Sequence, residues 1–382
     1  MKFPATAACA LLVSGIISST AAAKDDDVPA KANAAFAGAL AQYKIPGLVV
    51  GVTRNGEHSF YATGLASRAD NRPATPDTLF ELGSISKIFN VTLAALAEQR
   101  GLISFNDKVA HHLCADTCTI GNDMTLLDLA THHSGGLPLQ VPDGIKNTDQ
   151  LINWLKAWHP PTPGSRSYSN VSAGVLGTIT AKAMKMDYTK AVQTVLLPEL
   201  GLKNTWIEVP AKAKAAYAFG YDRNTDKPIR ANPGVLAEET YGIKSNARDM
   251  LDLLDIELGR TKVSAQLKAA IDRTHEGQFK TATFTQDLIW EQYSWPVDLD
   301  TMVAGNSNDV IMKPQKADRI EPPLAPQTNV ILNKTGSTNG FGGYVVVLPS
   351  ENLGIVVLAN RSYPNEARVR ATYALIKSLI GT

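Results

Sequence analysis

The apolar, β-branched segments of this chain lie near its two ends, and that separation limits the fold more than any other feature. Gly47 to Thr53 is a short apolar run, followed by Arg54-Asn55-Gly56 and a second run from Glu57 to Tyr61. Asn-Gly between two strand-like runs is a strong hairpin signal, because a tight hairpin turn needs residues that accept a positive φ. Far along the chain, Asn329 to Lys334, Tyr344 to Leu348 and Gly354 to Ala359 are rich in Val, Ile and Leu and are separated by Gly- or Asn-containing turns. The two sets of strands must share one antiparallel sheet. Residues 28 to 43 and Glu366 to Ile380 have helical periodicity and would flank it.

The middle of the chain differs. Ser84 to Arg100, Thr125 to His132, Thr148 to Trp158, Ala173 to Met186 and Tyr188 to Leu197 read as helices. Gly101, Gly135-Gly136 and Pro160-Pro161-Thr162-Pro163-Gly164 punctuate them. The expected fold is α/β (α+β): an antiparallel sheet flanked by terminal helices, with an inserted, mostly helical subdomain. Residues 24–82 and 201–382 would form the α/β part and 83–200 the helical part. Residues 300 to 328, rich in Asn, Asp and Pro, read as a long surface excursion.

Composition removes several function classes. With 382 residues, 44% of them hydrophobic, the chain can bury a large core. Its 37 Lys+Arg against 36 Asp+Glu lack the basic excess of a nucleic-acid binder. Lys2, the apolar stretch Ala5 to Ile17 and Ala21-Ala22-Ala23 form a secretory signal peptide with cleavage after Ala23. No later segment has 18 uninterrupted apolar residues, so no membrane span is expected. The reading is an exported, periplasmic monomer with no cofactor, no metal and no nucleic-acid partner.

After cleavage the cysteines are Cys114 and Cys118. A local disulfide suits an oxidising compartment. A metal site with His111 and His112, or two free thiols, are the other readings, although the spacing matches no strong zinc pattern. His132-His133 reads as helix-end packing or surface.

Three short motifs carry chemistry. Ser84-Ile85-Ser86-Lys87 places Lys87 beside Ser84 on one helix face. A serine hydroxyl needs a nearby group to accept its proton, and a lysine can do so when burial or other cations disfavour its charge. Tyr168-Ser169-Asn170 follows the Pro/Gly loop. A phenol, with a reference pKa of about 10, would serve as a base only if flanking lysines lowered it. Lys334-Thr335-Gly336-Ser337 ends a strand, and its glycine allows close backbone approach. Each motif alone has an ordinary structural explanation: a capping serine, a packed tyrosine, an edge lysine. Tyr-x-Asn even recurs at Tyr363-Pro364-Asn365.

In this order the three resemble the class C serine β-lactamases, since Ser-x-x-Lys and Lys-Thr-Gly mark β-lactamases and penicillin-binding proteins. Leu129 to Pro142, Tyr241 to Ser245, Trp290 to Val297, Lys334 to Pro349 and Leu353 to Arg368 also look like family segments. The resemblance implies a β-lactam substrate, with Ser84 attacking the lactam carbonyl. The N–H groups of Ser84 and Ser337 would stabilise the oxyanion. Lys87 and Tyr168 would share acid and base duty, and Lys334 would lower the Tyr168 pKa. Gln140 and Asn170 would bind the amide side chain, Thr335, Asn365 and Arg368 would place the carboxylate, and Tyr241 would form a wall.

Three departures stand out. Ser169 replaces the family's usual alanine, Ser362 replaces an asparagine, and the cysteine pair is no family hallmark. A class A enzyme would want Ser-Asp-Asn and a glutamate for the deacylating water. The rivals of the same fold are a D-Ala-D-Ala peptidase, an esterase and a penicillin sensor that is acylated without turnover.

Overall fold

The computed structural model describes residue 1 and residues 27–381 except 116, 117, 119 and 122. The expected signal peptide, residue 1 apart, lies outside the described residues. The apolar runs of both chain ends join one ten-stranded antiparallel sheet. Its order is Asp318–Leu324, Gly277–Lys280, Thr285–Gln286, Glu291–Ser294, Val330–Ser337, Gly342–Leu348, Leu353–Ala359, Gly47–Arg54, Glu57–Ser67 and Arg72–Pro73. The first hairpin closes directly on the last strand, with Leu48 opposite Ala359 and Arg54 opposite Leu353.

Strand alternation sorts side chains between two cores. Leu48, Val50, Val52, Ile331, Val346 and Ile355 pack with Phe36 and Leu375 of the terminal helices Val28–Gln42 and Asn365–Ile380. Val49, Val330, Leu332, Val345 and Val356 face the other way, into the larger core. There helix Ala247–Glu257 lies on the central strands, and helix Ser86–Gln99 packs against Asn170–Ala183 and Ala265–Thr274. Lys334 shares the parity of Leu332, so its side chain leaves the sheet toward the helices.

Helix Ser86–Gln99 is buried at every position from Ser86 to Ala97. It is therefore an interior helix rather than an amphipathic surface one. A single 3₁₀ turn, Gly83–Ile85, precedes it and carries Ser84.

Several expectations are corrected. Residues 300 to 328 are not a structureless excursion. They hold helices Leu299–Gly305 and Asn308–Met312 and the edge strand Asp318–Leu324, which pairs with Gly277–Lys280. An edge strand satisfies only one row of backbone groups, so Pro322 and Pro323 are tolerated there. The short strands between 277 and 294 and the helices Ala247–Glu257 and Ala265–Thr274 were not anticipated. The helix expected over Tyr188–Leu197 is interrupted by a π-helical stretch, Val192–Leu196. Cys114 and Cys118 form a disulfide, with Cα atoms 6.0 Å apart. Among the described residues, no helix is long and apolar enough to cross a membrane.

Candidate active site

The site begins with two glycines that let two backbones touch. Gly83 has φ +55°, and a Cβ built on it would fall 2.4 Å from the Ser337 nitrogen. A Cβ on Gly336 would fall 2.0 Å from the Leu82 oxygen. Only glycine fits at either place. The serine turn and strand Val330–Ser337 thus meet without an intervening side chain. Ser84 and Ser337 line the same cleft, of about 370 Å³, a size suited to a small organic ligand.

The i, i+3 spacing brings Lys87 back to Ser84. Its Nζ donates to Ser84 Oγ at 2.9 Å and to the Thr240 carbonyl at 3.0 Å. Lys87 is fully buried. Burial lowers its pKa, Tyr168 opposes the shift, Lys334 reinforces it, and the result is about 8.

Tyr168 enters between the Pro/Gly loop and helix Asn170–Ala183. Lys334 Nζ lies 5.0 Å and Lys87 Nζ 5.4 Å from its ring centroid, with the Arg166 guanidinium carbon at 5.8 Å. Burial pushes the phenol pKa up. The Lys334 and Lys87 ammonium groups and a hydrogen bond with Ser84 pull it down more strongly, to about 8. Glu291 is the neighbouring carboxylate, 3.7 Å from Lys334 and 3.4 Å from Arg166. Arg166 is also held by Gln286 Oε1 at 2.6 Å and the Val310 carbonyl at 3.2 Å.

Ser169, between the two functional positions of its motif, turns away from the cleft. Its hydroxyl accepts from Ser172 N–H at 2.9 Å, capping helix Asn170–Ala183, and donates to the Pro138 carbonyl at 2.6 Å. Asn170 then reaches Gln140, donating to its Oε1 at 3.0 Å. Gln140, Asn170, Tyr168, Tyr241, Lys334, Thr335 and Asn365 all line the cleft with Ser84 and Ser337.

Arg368, expected to help place the carboxylate, does not line the cleft. It is wholly buried behind the strand and donates to the carbonyls of Gly336 at 2.7 Å, Gly343 at 3.2 Å and Tyr363 at 2.5 Å. Those bonds commit its guanidinium to the backbone.

Other contributors were not legible. Glu81, buried three residues before Ser84, accepts from Tyr217 OH at 2.5 Å, Ala231 N–H at 2.8 Å and Thr338 Oγ1 at 2.6 Å. It thereby ties three remote segments around the serine turn. Asn306, Val310 and Ile311 add a wall from the segment read as an excursion. Glu291 sits within the quoted segment Trp290 to Val297, but nothing local signalled its place between two cations.

A hydroxyl bonded to a desolvated amine, beside a phenol whose pKa two ammonium groups depress, is the equipment of an active-site-serine acyl-transfer enzyme. Comparison with known proteins narrows the class. The β-lactamase family model matches residues 32–379, and the chain belongs to that family, in its class C branch. A solved β-lactamase from Sulfitobacter sp. EE-36 is 59% identical, with a TM-score of 0.91, covering 93% of this chain and 98% of its own. A class C β-lactamase from Rhodobacter sphaeroides is likewise 59% identical, with a TM-score of 0.89, covering 92% of this chain and 99% of its own. A β-lactamase from Lysobacter lactamgenus is 42% identical over 349 residues, 91% of this chain and 90% of that one.

Proposed function

We propose that this serine β-lactamase opens β-lactam antibiotics, cephalosporins and penicillins among them, through an acyl-enzyme on Ser84. The observation that carries the reading is the 2.9 Å Lys87–Ser84 hydrogen bond beside a phenol flanked by two ammonium groups. Ser84 Oγ attacks the lactam carbonyl while its proton passes to the Lys87–Tyr168 pair. The N–H groups of Ser84 and Ser337 receive the developing oxyanion, each typically worth ~3 kcal/mol. The C–N bond then breaks and the ring nitrogen takes a proton from Tyr168. Water attacks the ester, activated by the same pair, and frees Ser84.

Lys334 holds the Tyr168 pKa down and draws the substrate carboxylate, with Thr335 and Asn365 alongside. Gln140 and Asn170 take the amide side chain, and Tyr241 walls the cleft. Arg368 serves through the strand it braces. We place the enzyme in the periplasm as a monomer. The segment from Lys2 to Ala23 supports the periplasmic placement, and N-terminal sequencing of the exported protein, expected to begin at Lys24, tests it.

A chromogenic cephalosporin tests the activity. Many turnovers per protein are expected, with no acyl adduct by mass spectrometry in Ser84→Ala. One stoichiometric burst with a stable adduct identifies a sensor or slow peptidase instead. Hydrolysis undiminished in Ser84→Ala would sink the nucleophile assignment.

A further inference from the structure

His132 is wholly buried just beyond helix Leu126–Ala130, in a left-handed backbone conformation with φ 59°. Histidine is among the residues that tolerate this region. It grips the tripeptide Ser167-Tyr168-Ser169 at three points. Its backbone carbonyl accepts from Ser167 N–H at 2.8 Å. Its ring Nδ1 accepts from Ser169 N–H at 3.3 Å. Its ring lies against the Tyr168 ring, centroids 4.4 Å apart and planes at 48°. The backbone on both sides of Tyr168, and the phenol plane, are therefore referred to one residue.

A ring nitrogen that accepts from a backbone N–H carries no proton. The imidazole is then the Nε2–H form, and Nε2 has no partner among the described residues. Burial and the positive charges of Arg166, Lys87 and Lys334 hold its pKa well below the ordinary histidine range. A protonated ring would forfeit the Ser169 bond and add a fourth cation to those three. Glu291 is the carboxylate that faces this group of cations, pairing with Arg166 and Lys334.

We propose that His132 is a positioning residue for the general base, a neutral clamp that fixes both the backbone and the ring of Tyr168. The inference rests on Tyr168 being the base. Its opposite is a histidine that merely fills the core.

The test is a coupling measurement. His132→Phe keeps a ring but leaves Ser169 N–H unpaired. His132→Asn places an acceptor near the Nδ1 position and suits the left-handed backbone. Acylation rate constants are measured per titrated active site, in the native enzyme and in a Tyr168→Phe background. His132→Phe is expected to slow acylation about 10-fold or more, since small misplacements of catalytic groups are costly. Substrate KM should move less than about 2-fold, because the clamp touches no substrate. His132→Asn should stay within about 3-fold. In the Tyr168→Phe background His132→Phe should change nothing beyond about 2-fold, because residues acting through one group are not additive.

A loss that persists in that background overturns the clamp. So does an unchanged rate in His132→Phe, or a deficit that vanishes on active-site titration. If His132→Phe does not fold, His132→Gln, which displaces the acceptor by one bond, takes its place under the same criteria. A near-normal Tyr168→Phe rate sinks the base assignment itself. A slow Tyr168→Phe beside a normal His132→Phe sinks the clamp alone.

Discussion

Two charged clusters on this sheet use similar groups to opposite ends. At the far hairpin, Asp255 accepts from Thr53 Oγ1 at 2.6 Å, from Arg260 at 2.5 Å, and pairs with His58 at 2.8 Å. Arg260 also donates to Thr53 Oγ1 at 2.7 Å. Burial pushes the Asp255 pKa up, but these partners hold it below the ordinary carboxylate value. At the cleft, Lys87, Lys334 and Arg166 converge on Tyr168, while Lys87 bonds the oxygens of Ser84 and Thr240 and the Tyr168 phenol itself. Matched charges lock a helix to a strand. At the cleft, burial lowers the amine, and the crowded cations outweigh the upward push of burial on the phenol, so both come to about 8, where a proton can move at neutral pH.

The contrast can be broken at several strengths. Tyr168→Phe should slow acylation by about 10² to 10⁴-fold, whereas Asp255→Ala should leave turnover per active site unchanged. Stopped-flow acylation of both variants checks this, and an equal loss in the two erases the distinction.

Next in size, Asp255→Ala should cost about 3 kcal/mol in urea unfolding at pH 7, because it strands Thr53, His58 and Arg260. The folded pKa of Asp255 is depressed. Its contribution is therefore present above the ordinary carboxylate range and lost as pH falls through the folded value. The variant should lack that acid-side decline.

Lys87→Met should do the reverse, abolishing turnover while raising stability by about 1–2 kcal/mol at pH 7, since it removes a buried charge. With a folded pKa of about 8 against 10.5, the native state binds fewer protons in that window. Wild-type stability should rise from pH 8 to 10.5, and the variant should rise less.

The smallest effect sharpens the electrostatics. The acylation rate should climb to an inflection near pH 8 as the coupled Lys87–Tyr168 pair loses its proton. Lys334→Met removes a cation that lowers both pKa values, so the inflection should move upward by about 1 unit. A downward or absent shift contradicts the assignment.

What the sequence revealed tracks how local the signal was. The last two elements, expected over Gly354 to Ala359 and Glu366 to Ile380, are Leu353–Ala359 and Asn365–Ile380, because apolar periodicity over many residues leaves little freedom. Glu57–Ser67 ran past its expected end at Tyr61, since pairing with Gly47–Arg54 extends a strand beyond its apolar part. The strands between 277 and 294 carry buried Gln278, Gln286, Glu291 and Gln292, whose polar side chains hide a core strand from any hydrophobic pattern. At the site, Ser84, Lys87, Tyr168 and Lys334 were singled out because their short motifs, each weak alone, follow one another in an order that resembles the class C β-lactamases. Glu81 and Asn306 were not, because their roles come from partners distant in the chain. Arg368 sits in the terminal helix Asn365–Ile380, but its guanidinium is taken by the carbonyls of Gly336 and Gly343, partners distant in the chain that no local pattern shows.

The close approach of Gly83 to Ser337 and of Gly336 to Leu82 separates two properties of the catalyst. Main chain meets main chain there, so a side chain at either glycine would force the Ser84 turn and the Ser337 strand apart. The rim at Gln140, Asn170, Tyr241 and Asn365 carries no such restriction. Antibiotic preference can therefore drift at the mouth of the cleft while the jaw beneath keeps its calibre.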